Sequence, residues 1–204
     1  MTGKVQTSPE EKKPSPLKWL IPIALFLIFM GGIIYSRGRA PFSIRELPDL
    51  APIDQNRQLK AAPNIELLDP SGKKVALSDF RGKAVLINFW SLSCPACLIE
   101  LKSLGSLSQQ LSGKPFALLA VTDDPRDDIK QFLDQSGLKL PVYFDINNSA
   151  HQEYGVMYLP VSFVIDPNGD VVDQVPGAAD WSDPQVITYF QKLIELSGPK
   201  KSSP

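Results

Sequence analysis

The chain has 204 residues, 43% of them hydrophobic and 21% charged, with a formal net charge of −1. That is enough apolar material for one cored domain with appendages, and the charge balance gives no basis for nucleic-acid binding. Two cysteines and one histidine exclude a disulfide scaffold and leave a structural zinc site short of ligands.

Residues 1–16 are polar and rich in Pro, Ser, Lys and Glu, a composition expected to stay disordered. Residues 17–36 read as a transmembrane anchor. Within them, residues 19–35 carry no charge, which as a helix makes about 26 Å, at the short end of the spanning range. Trp19 and Tyr35 stand at the two ends, where interfacial aromatics belong. A cleaved signal peptide is the alternative. Its apolar region is normally shorter and ends in small residues, whereas Arg37 and Arg39 follow here. Lys4, Lys12, Lys13 and Lys18 precede the uncharged run, so positive charge slightly favours a cytoplasmic N-terminus and a periplasmic or other extracytoplasmic domain. Residues 37–62, with Pro41, Pro48 and Pro52, read as a linker.

A domain is expected over residues 63–197, with a polar tail at 198–204. Residues 65–68 and 74–77 are short strands around the turn Asp69-Pro70-Ser71-Gly72. A short helical turn at Ser78-Asp79-Phe80 precedes an apolar run, Val85 to Trp90, which suits a strand buried on both faces. A helix is expected from Cys94 to about Leu111, with Leu98, Leu101, Leu104 and Leu107 three apart. Residues 116–121 form the next strand. Pro125 opens a helix that Asp123 or Asp124 would cap, and Gly137 ends it. A strand at 141–144 and a short helix at 149–154 follow. Strands at 161–165 and 171–175 flank Asp166-Pro167-Asn168-Gly169-Asp170, a hairpin signal. A last helix starts at Ser182 or Asp183 and runs to about Leu196. Helices between the middle strands imply a parallel core. The fold class is therefore α/β, with a mixed central sheet flanked by helices.

The chemistry concentrates at Cys94-Pro95-Ala96-Cys97, where the buried strand gives way to a helix. Pro95 suits the first helical position, where its missing N–H is no loss. Cys94 then falls at or near the N-cap, where the helix dipole and free N–H groups favour a thiolate. Cys97, one turn on, can attack a mixed disulfide on Cys94. The pattern points to dithiol–disulfide exchange; two inert buried cysteines are the bland alternative.

Three blocks together resemble the thioredoxin superfamily, and more closely the TlpA/ResA-type membrane-anchored thiol–disulfide oxidoreductases. They are LSDFRGKAVLINFW (77–90), CPACLIEL (94–101) and GVMYLPVSFVIDPNGDVV (155–172), and the resemblance covers roughly residues 62–196. It implies a thioredoxin-like fold behind one N-terminal transmembrane helix. Cys94 would be the attacking cysteine, Cys97 the resolving one, and the pair a redox-active disulfide. Pro160, after Leu159, matches the family's cis-proline lining the substrate groove. The acid that thioredoxins bury on the strand before the motif is Asn88 here. Glu100 instead completes Cys-x-x-Cys-x-x-Glu and would assist Cys97; a solvated helix glutamate is the plain reading of the same spacing. The resemblance implies no metal and no cofactor. Its partners would be client proteins with disulfides or thiols, such as apocytochrome c, and a membrane electron donor. Two departures bear on the client: Ser93 stands where the family commonly has Trp, and Val161 where Thr is common.

Two other functions use related folds. A thiol peroxidase needs a Pro seven residues before its cysteine, where this chain has Ile87. A Cu(I)-binding, metal-delivery module would use wider cysteine spacing and a histidine. His151, on a polar helix far along the chain, reads as a surface residue. Phe89, Trp90 and Phe163 read as core near the site, and Trp181 as packing for the last helix.

Overall fold

The computed structural model describes residues 59–196. The expected anchor at residues 17–36 lies outside them. Among the described residues, no helix is long and apolar enough to cross a membrane.

Strands β1 (Lys60–Ala61), β2 (Glu66–Leu68) and β3 (Lys74–Ala76) precede β4 (Ala84–Phe89) and helix α1 (Pro95–Gln110). β5 (Phe116–Thr122), α2 (Arg126–Ser136), β6 (Val142–Asp145) and α3 (Ser149–Glu153) follow. β7 (Val161–Ile165), β8 (Asp170–Pro176) and α4 (Pro184–Leu196) complete the domain. The strands form one sheet in the order β1-β8-β7-β4-β5-β6-β2-β3. β4, β5 and β6 run parallel, as their crossover helices require. β7 is antiparallel to β4 and forms a hairpin with β8, and β2 and β3 add an antiparallel pair beyond β6.

All six residues of β4 are buried, because helices cover both faces of the sheet. Its side chains alternate between two cores. Ala84 and Leu86 join α1 and α4 through Leu101, Leu104, Leu107 and Phe190. Val85, Ile87 and Phe89 join the other face with Leu67, Tyr154 and Phe163. Leu101, Leu104 and Leu107 form the buried stripe of α1, and Leu98, a turn before them, is partly buried.

The expected elements recur with shifts of a residue or two at their ends, and β1 is an addition. It pairs Lys60 with Val171 and Ala61 with Asp170, in residues whose polarity reads as linker. Two residues are too few to show a two-residue period.

Candidate active site

The site forms at the carboxyl end of β4, at the centre of the sheet. Cys94 is the N-cap of α1 in extended conformation, and Pro95 opens the helix. Cys94 and Cys97 are joined as a disulfide, with Cα atoms 5.3 Å apart. The Cys97 backbone N–H donates to Cys94 Sγ at 3.2 Å. Exposure separates the two sulfurs: Cys94 is half-buried and Cys97 fully buried. A partner protein approaching this end therefore meets Cys94 first.

The register of β4 and β7 pairs Phe89 with Val161. Pro160 thus lies beside the end of β4 where the cysteine segment begins. The Leu159–Pro160 peptide bond is cis, and Pro160 is buried while Leu159 packs against both cores. Just upstream, Met157 is 89% and Tyr158 54% exposed.

Glu100 is not a solvated glutamate. It is 1% exposed, one turn along α1 from Cys97 and on the same inward face. Its Oε1 accepts from Asn88 Nδ2 at 2.8 Å. Its Oε2 accepts from the Ala179 N–H and from Trp181 Nε1, each at 3.0 Å. Burial pushes its carboxyl above the ordinary carboxylate range, and the bonds from Ala179, Asn88 and Trp181 only partly oppose that. Such a group can exchange a proton closer to neutral pH than an exposed glutamate. Asn88 Nδ2 also donates to Ser162 Oγ at 2.9 Å on β7. Trp181 is buried against Val186 and Phe190 of α4, as expected, and its ring nitrogen serves Glu100 besides.

Sequence reasoning gave Ser162 no role, and it misread Asp124. Asp124 stands before Pro125 like a helix cap, but α2 has no side-chain cap bond. Its carboxylate turns back to the segment ahead of Cys94. It accepts from the Leu92 N–H at 2.6 Å, Ser91 Oγ at 3.2 Å and Thr122 Oγ1 at 3.0 Å. Ser91 Oγ is in turn 2.9 Å from Ser93 Oγ. One carboxylate thus fixes the backbone that leads to the half-buried cysteine. Asp124→Ala is expected to lose about 1–3 kcal/mol, since it leaves the Leu92 N–H and the Ser91 and Thr122 hydroxyls without their acceptor. Urea unfolding midpoints check this; a loss within about 0.5 kcal/mol, the range of an ordinary surface substitution, would show that the anchor is dispensable.

The expectation of a surface His151 is corrected: it is 8% exposed. Its Nδ1 lies 2.7 Å from Asp145 Oδ2, and its ring meets Phe89 edge-on at 4.8 Å between centroids. A five-residue helix has too few turns for its sequence to reveal an inward face. Asp145 also accepts from Ser149 Oγ and from the N–H groups of Ala150 and His151. Burial raises its carboxyl, but the bonds from Ala150 and His151 outweigh that and hold it below its ordinary value of 3.8. A lowered carboxyl stabilises the fold above its ordinary value, and this is lost as pH falls through the lowered one. Acid unfolding of the wild type should therefore steepen below about pH 4, and Asp145→Asn should flatten that limb while costing about 1–3 kcal/mol at neutral pH. Parallel acid titrations by circular dichroism test this, and superimposable curves would contradict it.

Comparison with known proteins agrees with this geometry. The model of the AhpC/TSA family matches residues 59–174. The chain belongs to that family. It is 31% identical over 175 residues to the thiol-disulfide oxidoreductase ResA of Bacillus cereus, covering 85% of this chain and 95% of the relative. Against ResA of Bacillus subtilis the identity is 32% over 66% of this chain and 74% of the relative. Among solved structures, one from Chlorobium tepidum assigned as the thiol:disulfide interchange protein DsbE superposes with a TM-score of 0.57 and 29% identity. It covers 69% of this chain and 97% of that one. The exposed lipoprotein thioredoxin of Streptococcus pneumoniae gives a TM-score of 0.52 at 28% identity, covering 65% and 98%. The fold is thus thioredoxin-like, and this AhpC/TSA member is a thiol–disulfide oxidoreductase of the thioredoxin superfamily.

Proposed function

We propose that this oxidoreductase is tethered to the cytoplasmic membrane by residues 17–36 and works on the extracytoplasmic side, reducing disulfides in client proteins such as apocytochrome c. The observation that carries the reading is the asymmetry of the pair at the start of α1: Cys94 half-buried at the helix N-terminus, Cys97 buried behind it. In the reduced enzyme the Cys94 thiolate attacks one sulfur of a client disulfide. The client disulfide breaks, a mixed disulfide forms on Cys94, and the other client sulfur leaves as a thiol. Cys97 then gives up its proton and attacks Cys94 Sγ. The Cys94–Cys97 disulfide forms, the second client sulfur leaves, and two electrons have passed to the client.

In this reading Glu100 takes the proton from Cys97, which its buried, raised carboxyl suits. Leu159 and Pro160 shape the groove in which the client lies against the disulfide. Glutathione does not poise a periplasm, so a membrane donor must re-reduce the pair. An exposed lipoprotein among the structural relatives accords with an extracytoplasmic site.

The test uses the full chain in detergent, reduced, with an oxidised Cys-x-x-Cys-His peptide as client. Transfer of two electrons per chain supports the reading; a peptide left oxidised counts against it. Protease added to intact spheroplasts should digest residues 63–197, and a protected domain would overturn the topology.

A further inference from the structure

A buried carboxyl that gains and loses a proton needs neighbours that satisfy both of its states. The two oxygens of Glu100 are not equivalent in this respect. Oε2 already accepts two N–H groups, from Ala179 and Trp181. Neither donor can become an acceptor, so a proton on Oε2 would displace one of them. Oε1 accepts only from Asn88 Nδ2. Asn88 is 0% exposed. Its Nδ2 bridges Glu100 Oε1 and Ser162 Oγ, while its Oδ1 has no partner. A primary amide carries a double donor at one end and an acceptor at the other in nearly the same shape. Ser162, a hydroxyl, can accept or donate.

We propose that Asn88 and Ser162 are positioning residues that let Glu100 change charge inside the core: the proton resides on Oε1, and the Asn88 amide turns over with it. With Glu100 ionised, Nδ2 donates to Oε1 and to Ser162 Oγ. With Glu100 protonated, Oε1–H donates to Asn88 Oδ1, and the Ser162 hydroxyl reverses to donate to the same oxygen. No covalent bond breaks beyond the O–H itself. One end of the amide stays unpartnered in either state, the carbonyl oxygen with Glu100 ionised and the NH2 with Glu100 protonated. This deepens the reading of Glu100 as the proton acceptor for Cys97 and rests on it. The groups facing the Glu100 carboxyl are Asn88 from β4, Ser162 from β7 beyond it, and Ala179 with Trp181 from the segment before α4. Cys97 is its ionisable neighbour one turn away on α1. Lys102 and Asp180, both exposed, stand at the mouth of the shallow groove that Glu100 borders.

The variant Glu100→Gln is a neutral mimic of the protonated state. Its amide oxygen must face Ala179 and Trp181, so its NH2 faces Asn88. The full chain in detergent, with its asparagines labelled with ¹⁵N and Asn88→Leu assigning the resonance, reports which end of the amide faces Glu100. In wild type at high pH, nuclear Overhauser contacts are expected from the Asn88 NH2 protons to Glu100 and to Ser162. In Glu100→Gln, and in wild type below the Glu100 titration, those contacts should vanish. Asn88→Asp supplies an acceptor alone, so it should hold Glu100 protonated and move the rise of turnover with pH to higher pH. The thermal stability that Asn88→Asp loses should return by more than half in Asn88→Asp/Glu100→Gln. Asn88 contacts that persist in Glu100→Gln, or a pH profile unmoved by Asn88→Asp, would overturn the relay. If turnover of Glu100→Gln equals wild type, the role of Glu100 itself falls, whatever Asn88 does.

Discussion

Replacing Cys94 with Ala is expected to reduce turnover of a disulfide client to the uncatalysed rate, while Cys97→Ala should stop the cycle one step later, as a stable mixed disulfide. The difference follows from position. Cys94 caps α1, receives the Cys97 N–H and is half-buried, so its sulfur is both reachable and favoured as an anion. Cys97 is fully enclosed by the core of α1 and α4. It can reach a sulfur already docked on Cys94 but not one on a large client. With a labelled Cys-x-x-Cys-His peptide, non-reducing gels should show the covalent adduct for Cys97→Ala and none for Cys94→Ala. An adduct on Cys94→Ala would reverse the two roles.

Glu100→Gln is expected to slow resolution of the mixed disulfide by about 100-fold or more, the usual contribution of a positioned general base. The substitution keeps the volume, and its amide oxygen can still receive Ala179 and Trp181. Loss of rate would therefore report the missing proton acceptor rather than a collapsed core. The pH dependence carries a definite sign. A base acts only when ionised, so wild-type resolution should speed up as pH rises through the raised Glu100 value, and the variant should lack that limb. Stability moves the other way. A carboxyl raised by folding contributes fully below its unfolded value, and the contribution is lost as pH rises through its folded one. Glu100→Gln should thus gain stability relative to wild type as pH increases. Stopped-flow resolution rates and urea midpoints across pH measure both; a variant with wild-type rates at every pH would remove Glu100 from the cycle.

Much of the site was legible because its signals are local. Cys94 and Pro95 at a strand-to-helix junction are a cap and a first helical position in neighbouring residues. The hairpin of β7 and β8 announces itself in five consecutive residues, with Gly169 taking a positive φ of 88° in its turn. Glu100 was visible only as a position three residues after Cys97. The partners of its Oε2 lie 79 and 81 residues further on, in a segment with no pattern tying it to α1, while Oε1 meets Asn88 twelve residues back on β4. Asp124 was misread because Asp before Pro at a helix start is a frequent cap, whereas its acceptor role reaches back 32 residues to Leu92. His151 was misread for a related reason: its burial depends on Asp145 at the end of β6 and on Phe89 of β4. Local patterning located the two cysteines, and tertiary contacts supply the polar groups buried around them.

The most direct measurement is the midpoint potential of the Cys94–Cys97 couple in the full chain, equilibrated in thiol redox buffers. Trp90 shares the buried cluster of Cys97 and should report the change by fluorescence. A client-reducing enzyme predicts a value near or below about −270 mV, the range of thioredoxin. A value near about −120 mV, that of a strong disulfide donor, would contradict the direction of transfer proposed here.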